Sequence, residues 1–142
     1  MHAFDLDAFL PYRLAKLASR VSRGFAQEYG ARFGLSIPEW RVMAHLSQSA
    51  SVSVRELHLK ADLEKSKASR AAARLEAAGL VVKKINEADR RLIELSLSAK
   101  GEEMMAELRP LALSYEADVL NSLSPEDRKM LNHLVDQLLE ST

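Results

Sequence analysis

Apolar side chains recur at Leu10, Leu14, Leu17, Val21, Phe25 and Tyr29, in steps of three and four residues. Such steps stack side chains on one face of a helix and predict a long amphipathic helix from about Asp5 to Phe33, with Pro11 near its first turn and Gly34 as its stop. Ser36-Ile-Pro-Glu39 follows. A serine with an acid three residues on is a capping box, in which both side chains satisfy free amides at a helix start. It opens a second helix, Pro38 to about Gln48, burying Val42, Met43 and Leu46 with Trp40 beside them. Ser53-Val-Arg-Glu56 repeats the signal before a short helix, Val54–Lys60. Ala61 and Leu63 turn the chain into a third segment, Glu64 to Gly79, where glycine suits a left-handed stop. The period then changes from helix to strand. Ile93, Leu95 and Leu97 alternate with Glu94 and Ser96, so 81–85 and 92–97 read as a hairpin around the polar tip Asn86 to Arg91. Ser98 can cap the next helix, which carries Met105, Leu108, Ala112, Tyr115, Val119 and Leu120, with Pro110 as a bend. Ser124-Pro-Glu-Asp127 caps the last, which presents Leu131, Leu134, Val135 and Leu138.

Helix, turn, helix and hairpin in this order predict a mainly α fold with a small β-hairpin wing, a winged helix-turn-helix. Residues 36–100 suffice for that unit within a single chain of 142 residues. The helices of 1–35 and 101–142 are left with apolar stripes, and long lone helices are marginal without packing. We expect them to be dimerisation helices of a symmetric homodimer; the alternative is a monomer in which they cover one another.

Composition changes this picture in two places. There are no cysteines, which excludes disulfides and thiolate metal sites and fits a cytoplasmic protein. No apolar run approaches membrane-spanning length, and acidic residues stand near the start where a signal peptide would be basic. The net charge is zero, but residues 1–54 carry +2, residues 55–100 carry +4 and residues 101–142 carry −6. The helix-turn-helix and wing are basic and the C-terminal helices acidic, as in a body oriented on a polyanion by one face.

The leading end of the 64–79 helix holds Lys65, Ser66, Lys67, Ser69 and Arg70. A helix in the major groove offers side chains from one face near its N-terminus. Arg70 suits a bidentate contact with guanine, and the serine hydroxyls suit phosphate or base. Lys65, Lys67 and Arg74 are placed to neutralise phosphates, and an arginine at the wing favours a narrow minor groove. The expected partner is duplex DNA. RNA is disfavoured, since no aromatic residue lies on the basic helix or wing to stack unpaired bases.

Several pieces in order resemble the MarR family of bacterial transcriptional regulators across nearly the whole chain. They are Leu35-Ser-Ile-Pro-Glu-Trp-Arg-Val-Met-Ala-His-Leu46, the helix Lys65–Gly79 with Leu80-Val81, the wing triplet Asp89-Arg-Arg91, and Leu95-Ser-Leu-Ser-Ala-Lys-Gly101. The resemblance implies a winged-helix dimer held by interleaved terminal helices. It makes Ser66, Lys67, Ser69 and Arg70 major-groove contacts and turns Arg74 to a phosphate or base edge. At the wing it assigns Asp89, Arg90 and Arg91, one arginine entering the minor groove and the aspartate bracing it. Lys67 and Ala68 stand where Thr or Ser and Val are more usual, and Ala71-Ala-Ala73 makes the helix smoother.

The resemblance also implies a small anionic, often aromatic ligand in a cleft between dimer helices and reading unit. The cations of the first helix are enough for a bulkier anion such as an acyl-CoA thioester, or for an inter-subunit salt bridge. Candidates are Tyr12, Arg13, Leu17, Trp40, Arg41 and His45, with Lys16, Arg20 and Arg23 adding charge; Trp40 as core and the arginines in ion pairs is the simpler alternative. No cofactor or metal is expected: His2, His45, His58 and His133 lack ligand spacing. No Gly-rich phosphate loop, nucleophile elbow or framed acid pair suggests an enzyme. The remaining alternative is a protein-binding winged-helix adaptor or antirepressor without DNA affinity.

Overall fold

The computed structural model describes residues 3–142, so His2 lies outside the described residues. A 3₁₀ turn, Leu6–Ala8, precedes α1 (Leu10–Phe33), α2 (Ile37–Gln48), β1 (Val52–Ser53), α3 (Val54–Lys60), α4 (Lys65–Ala77), β2 (Val81–Ile85), β3 (Ile93–Leu97), α5 (Ala99–Val119) and α6 (Pro125–Ser141). The first helix therefore begins five residues later than its apolar period suggested. Asp5 caps the 3₁₀ turn by accepting from the Asp7 amide, and Phe9 is extended, so the helix starts beside Pro11.

Two compact units divide at Arg109 and Pro110, and α5 runs through the boundary with Pro110 inside it. In the first unit the core gathers Tyr29, Met43, Leu57, Leu75, Leu95, Met105 and Leu108, each under 2% exposed. Phe25, Tyr29 and Trp40 pack ring to ring, Phe25 edge-on to both others and Tyr29 stacked on Trp40 at 5.6 Å. Aromatic pairs of this kind add about 0.5–1.5 kcal/mol each beyond area burial and fix the second half of α1 on α2. In the second unit, Ser124 caps α6 through the Asp127 amide, and α6 has no buried residue. Among the described residues no helix is long and apolar enough to cross a membrane.

The capping signals mostly behave as read. Ser36 and Glu39 form both halves of the box, and Gly34 and Gly79 take φ of +69° and +76°. Ser53 does cap α3, but through the Arg55 amide, and the reciprocal bond from Glu56 expected of a box does not form. The sheet has three strands in order β1-β3-β2, one more than the hairpin predicted. Val52 pairs with Leu95 and Ser53 with Glu94, so the loop before α3 is stitched to the wing.

Burial pushes the Tyr29 hydroxyl up to about 12, with Arg41 opposing in part. Its proton is held more tightly in the folded chain than in the unfolded one, where the usual value is about 10. This contribution to stability is complete below about pH 10 and is lost as pH rises toward 12. Tyr29→Phe is expected to flatten the fall of urea-unfolding stability over that window; an unchanged slope contradicts the assignment.

Candidate nucleic-acid interface

Helix α4 owes its orientation to its small residues. Ala68, Ala71, Ala72 and Leu75 are buried, and their spacing marks the face that packs on α2 and α3. Alanine lets α4 approach closely. Lys65, Ser66, Lys67, Ser69, Arg70 and Arg74 are all exposed on the remaining surface. The turn before α4 contains Asp62 at φ +53°, a left-handed position that aspartate tolerates better than most residues. Arg41 donates to the Asp62 carbonyl at 3.1 Å and so holds α2 to that turn.

Lys67, Arg70 and Arg74 line one depression of about 470 Å³ together with Ser36, Pro38 and Ala71. Arg70 makes no hydrogen bond or ion pair among the described residues, whereas Arg74 lies 4.0 Å from the Glu39 carboxylate. Glu39 was legible in the sequence as half of a cap, but its reach to α4 was not.

At the wing, Asp89 accepts from the Arg91 amide at 3.1 Å and from its Nε at 3.2 Å, so the braced arginine is Arg91. Arg90 lines a separate depression with Ile85, Asn86 and Glu87. The tip is organised by Asn86, which sequence reading assigned only to a polar stretch. Its Oδ1 accepts from the Ala88 and Asp89 amides, and its Nδ2 donates to Glu94 at 2.8 Å. Asparagine opening a polar tip is a recognised turn signal, and it was the available clue. Glu94 also accepts from Ser51, tying the tip back to the β1 loop.

The end of α4 is fastened to the start of α5. Ser98 donates to the Gly79 carbonyl at 2.6 Å and accepts from the Gly101 amide, while Lys100 donates to the Ala78 carbonyl at 2.9 Å. Lys83 on β2 pairs with Glu76 of α4 at 3.5 Å. Helix and wing therefore present their cations from one framework.

The six candidate ligand residues divide into two groups. Tyr12, Arg13 and Leu17 share a shallow depression of about 330 Å³ with Lys16 and Arg20 of α1 and Asp7 of the 3₁₀ turn before it. Trp40 sits instead in the aromatic cluster around Phe25 and Tyr29, Arg41 is engaged at Asp62, and His45 lies half-buried in the last turn of α2. Phe25 is 13 residues beyond Tyr12, about 20 Å along the helix, so one chain does not bring the two groups together. No group of three or more His, Asp or Glu among the described residues is placed to hold a metal ion.

A family model described as the MarR family matches residues 33–92, the segment from the end of α1 to the wing. The whole fold extends that match: the MarR family transcriptional regulator SPO1453 from Silicibacter pomeroyi DSS-3 is 25% identical, covers 98% of each chain and superposes with a TM-score of 0.85. The chain thus resembles the MarR family, in sequence over residues 33–92 and in fold along nearly its whole length. Among curated relatives, the Escherichia coli transcriptional regulator HosA is 27% identical over 124 residues, 84% of this chain and 92% of HosA. A structure of Bordetella bronchiseptica BpsR, described with a mechanism for regulation of its DNA binding by 6-hydroxynicotinic acid, shares the fold at 18% identity, with a TM-score of 0.85 over 96% of this chain and 97% of that one. The comparisons thus liken the chain to transcriptional regulators of the MarR family.

Proposed function

We propose that this regulator is a repressor that binds a palindromic operator as a homodimer and is released by a small anionic ligand. The carrying observation is the row of outward cations on α4, Lys67, Arg70 and Arg74, with Arg91 braced by Asp89 on the wing. In this reading Ser66, Ser69 and Arg70 meet base edges, Lys65, Lys67 and Arg74 meet phosphates, and Arg91 enters the minor groove with Arg90 beside it. Residues 36–100 are the DNA-binding unit, and the helices of 1–35 and 101–142 join two copies. Exposed apolar side chains support the second point: Leu10, Leu14 and Leu17 on α1, and Leu131, Leu134, Val135 and Leu138 on α6, are each 39–58% exposed. Burying such faces against a second copy is the usual way a pair of amphipathic helices is satisfied.

The ligand is proposed to be an aromatic acid or an acyl-CoA thioester. Tyr12 offers a ring, and Arg13, Lys16 and Arg20 offer cations in the same depression, so α1 has priority over Trp40, Arg41 and His45, two of which already hold the fold together. BpsR, a fold relative, has its DNA binding regulated by an aromatic acid, which motivates the class.

Footprinting on the DNA upstream of the protein's own gene tests the reading. Two protected half-sites about one helical turn, ~10 bp, apart are expected, from a species that sediments as a dimer. Retention of the footprint with every aromatic acid and thioester tried removes the ligand part. A monomer, or a protein that protects no DNA, removes the operator reading and favours the adaptor.

A further inference from the structure

Glu39 is the one charged side chain that is buried among the described residues. One of its oxygens accepts from the Ser36 amide at 3.4 Å, completing the cap of α2, and the other faces Arg74 at 4.0 Å. The cap has no need of the charge, because glutamine serves equally at that position of a capping box. The ion pair is a weak one. Its distance is at the outer limit, and the Arg74 side chain is 69% exposed. Exposed pairs of this kind contribute little and are screened by salt.

We infer that Glu39 is a built-in competitor for the DNA phosphate that Arg74 neutralises, setting how tightly the regulator holds DNA of any sequence. The inference rests on α4 being the helix that meets DNA. Lys67, Arg70, Ala71, Arg74, Ser36 and Pro38 line the depression, without a carboxylate among them. The acidic group that reaches it is Glu39, through Arg74. When a phosphate draws Arg74 outward, two costs arise together. The carboxylate loses its nearest cation, a small cost for a pair this long and exposed. A second negative group also arrives on the same cation. Glu39 thus lowers affinity through Arg74, beyond the repulsion any nearby acid would exert.

Fluorescence anisotropy with a pool of random-sequence duplexes, using the full chain as wild type, Glu39→Gln, Arg74→Ala and the double variant, tests this. Glu39→Gln is expected to tighten binding about fivefold with Arg74 present, and by no more than about twofold in the Arg74→Ala background. Its thermal unfolding midpoint is expected to stay at the wild-type value, since the cap is kept. Equal gains in both backgrounds overturn the competition, because Glu39 then acts by its field alone. Weaker or unchanged binding of Glu39→Gln overturns it as well and marks the pair as a prop for α4. A wild type silent toward every duplex at low salt is the separate failure, that of α4 as a DNA-reading helix, and takes this inference with it.

Discussion

Arg70→Ala is expected to weaken binding to operator DNA by about 30-fold or more while leaving thermal stability almost unchanged. Arg70 is exposed, lies on the face of α4 opposite its buried alanines, and makes no hydrogen bond or ion pair among the described residues. Its removal therefore leaves no buried group unsatisfied. A bidentate arginine–guanine contact discriminates by about 1–3 kcal/mol, and a dimer makes the contact twice, so about 2–6 kcal/mol is at stake. Lys67→Ala, by contrast, removes a phosphate contact in this account. It should lower affinity for operator and random DNA alike and reduce the salt slope by about 1 per site. Competition anisotropy separates the two. If Arg70→Ala loses affinity equally for both DNAs, the residue does not read bases.

The second large effect is on stability. Gly101 lies in the first turn of α5, where a methyl group would be driven onto the Leu80 carbonyl oxygen and also crowd Leu97. The obstruction is backbone, and that oxygen already accepts from the Ser98 amide at 3.0 Å. A flexible side chain could yield; this junction, with Ser98 and Lys100 clamped on the end of α4, cannot do so cheaply. Gly101→Val is expected to cost about 3 kcal/mol, the upper end of overpacking, and to lower the melting temperature by roughly 10 °C. Ala106→Val at an exposed position of the same helix should cost under about 1 kcal/mol, the difference in helix propensity. A Gly101→Val protein as stable as Ala106→Val contradicts the close approach.

Much of this architecture was readable from short-range pattern. The buried face of α4 follows from alanine and leucine at helical spacing, and the caps at Ser36, Ser98 and Ser124 follow from residues two or three positions apart. What escaped was of two kinds. β1 is two residues long and exists only because β3 pairs with it, so no period announces it. The pairs Arg41–Asp62 and Arg74–Glu39 join positions far apart in the chain, and a single sequence shows which charges exist but not which meet. The ligand candidates met the same obstacle. They were grouped by chemistry, and the rise of α1 separates Tyr12, Arg13 and Leu17 from the neighbourhood of Trp40.

The most direct test of the central claim is the salt dependence of binding between the wild-type protein and its own upstream DNA, followed by anisotropy. Lys65, Lys67 and Arg74 from two protomers would neutralise about six phosphates, giving a slope of log affinity on log salt near −5 and a loss of about a thousandfold between ~50 and ~200 mM. Tight binding that falls in this way is the predicted result. Binding that is flat across that range, or absent at low salt, contradicts a regulator that grips DNA through α4.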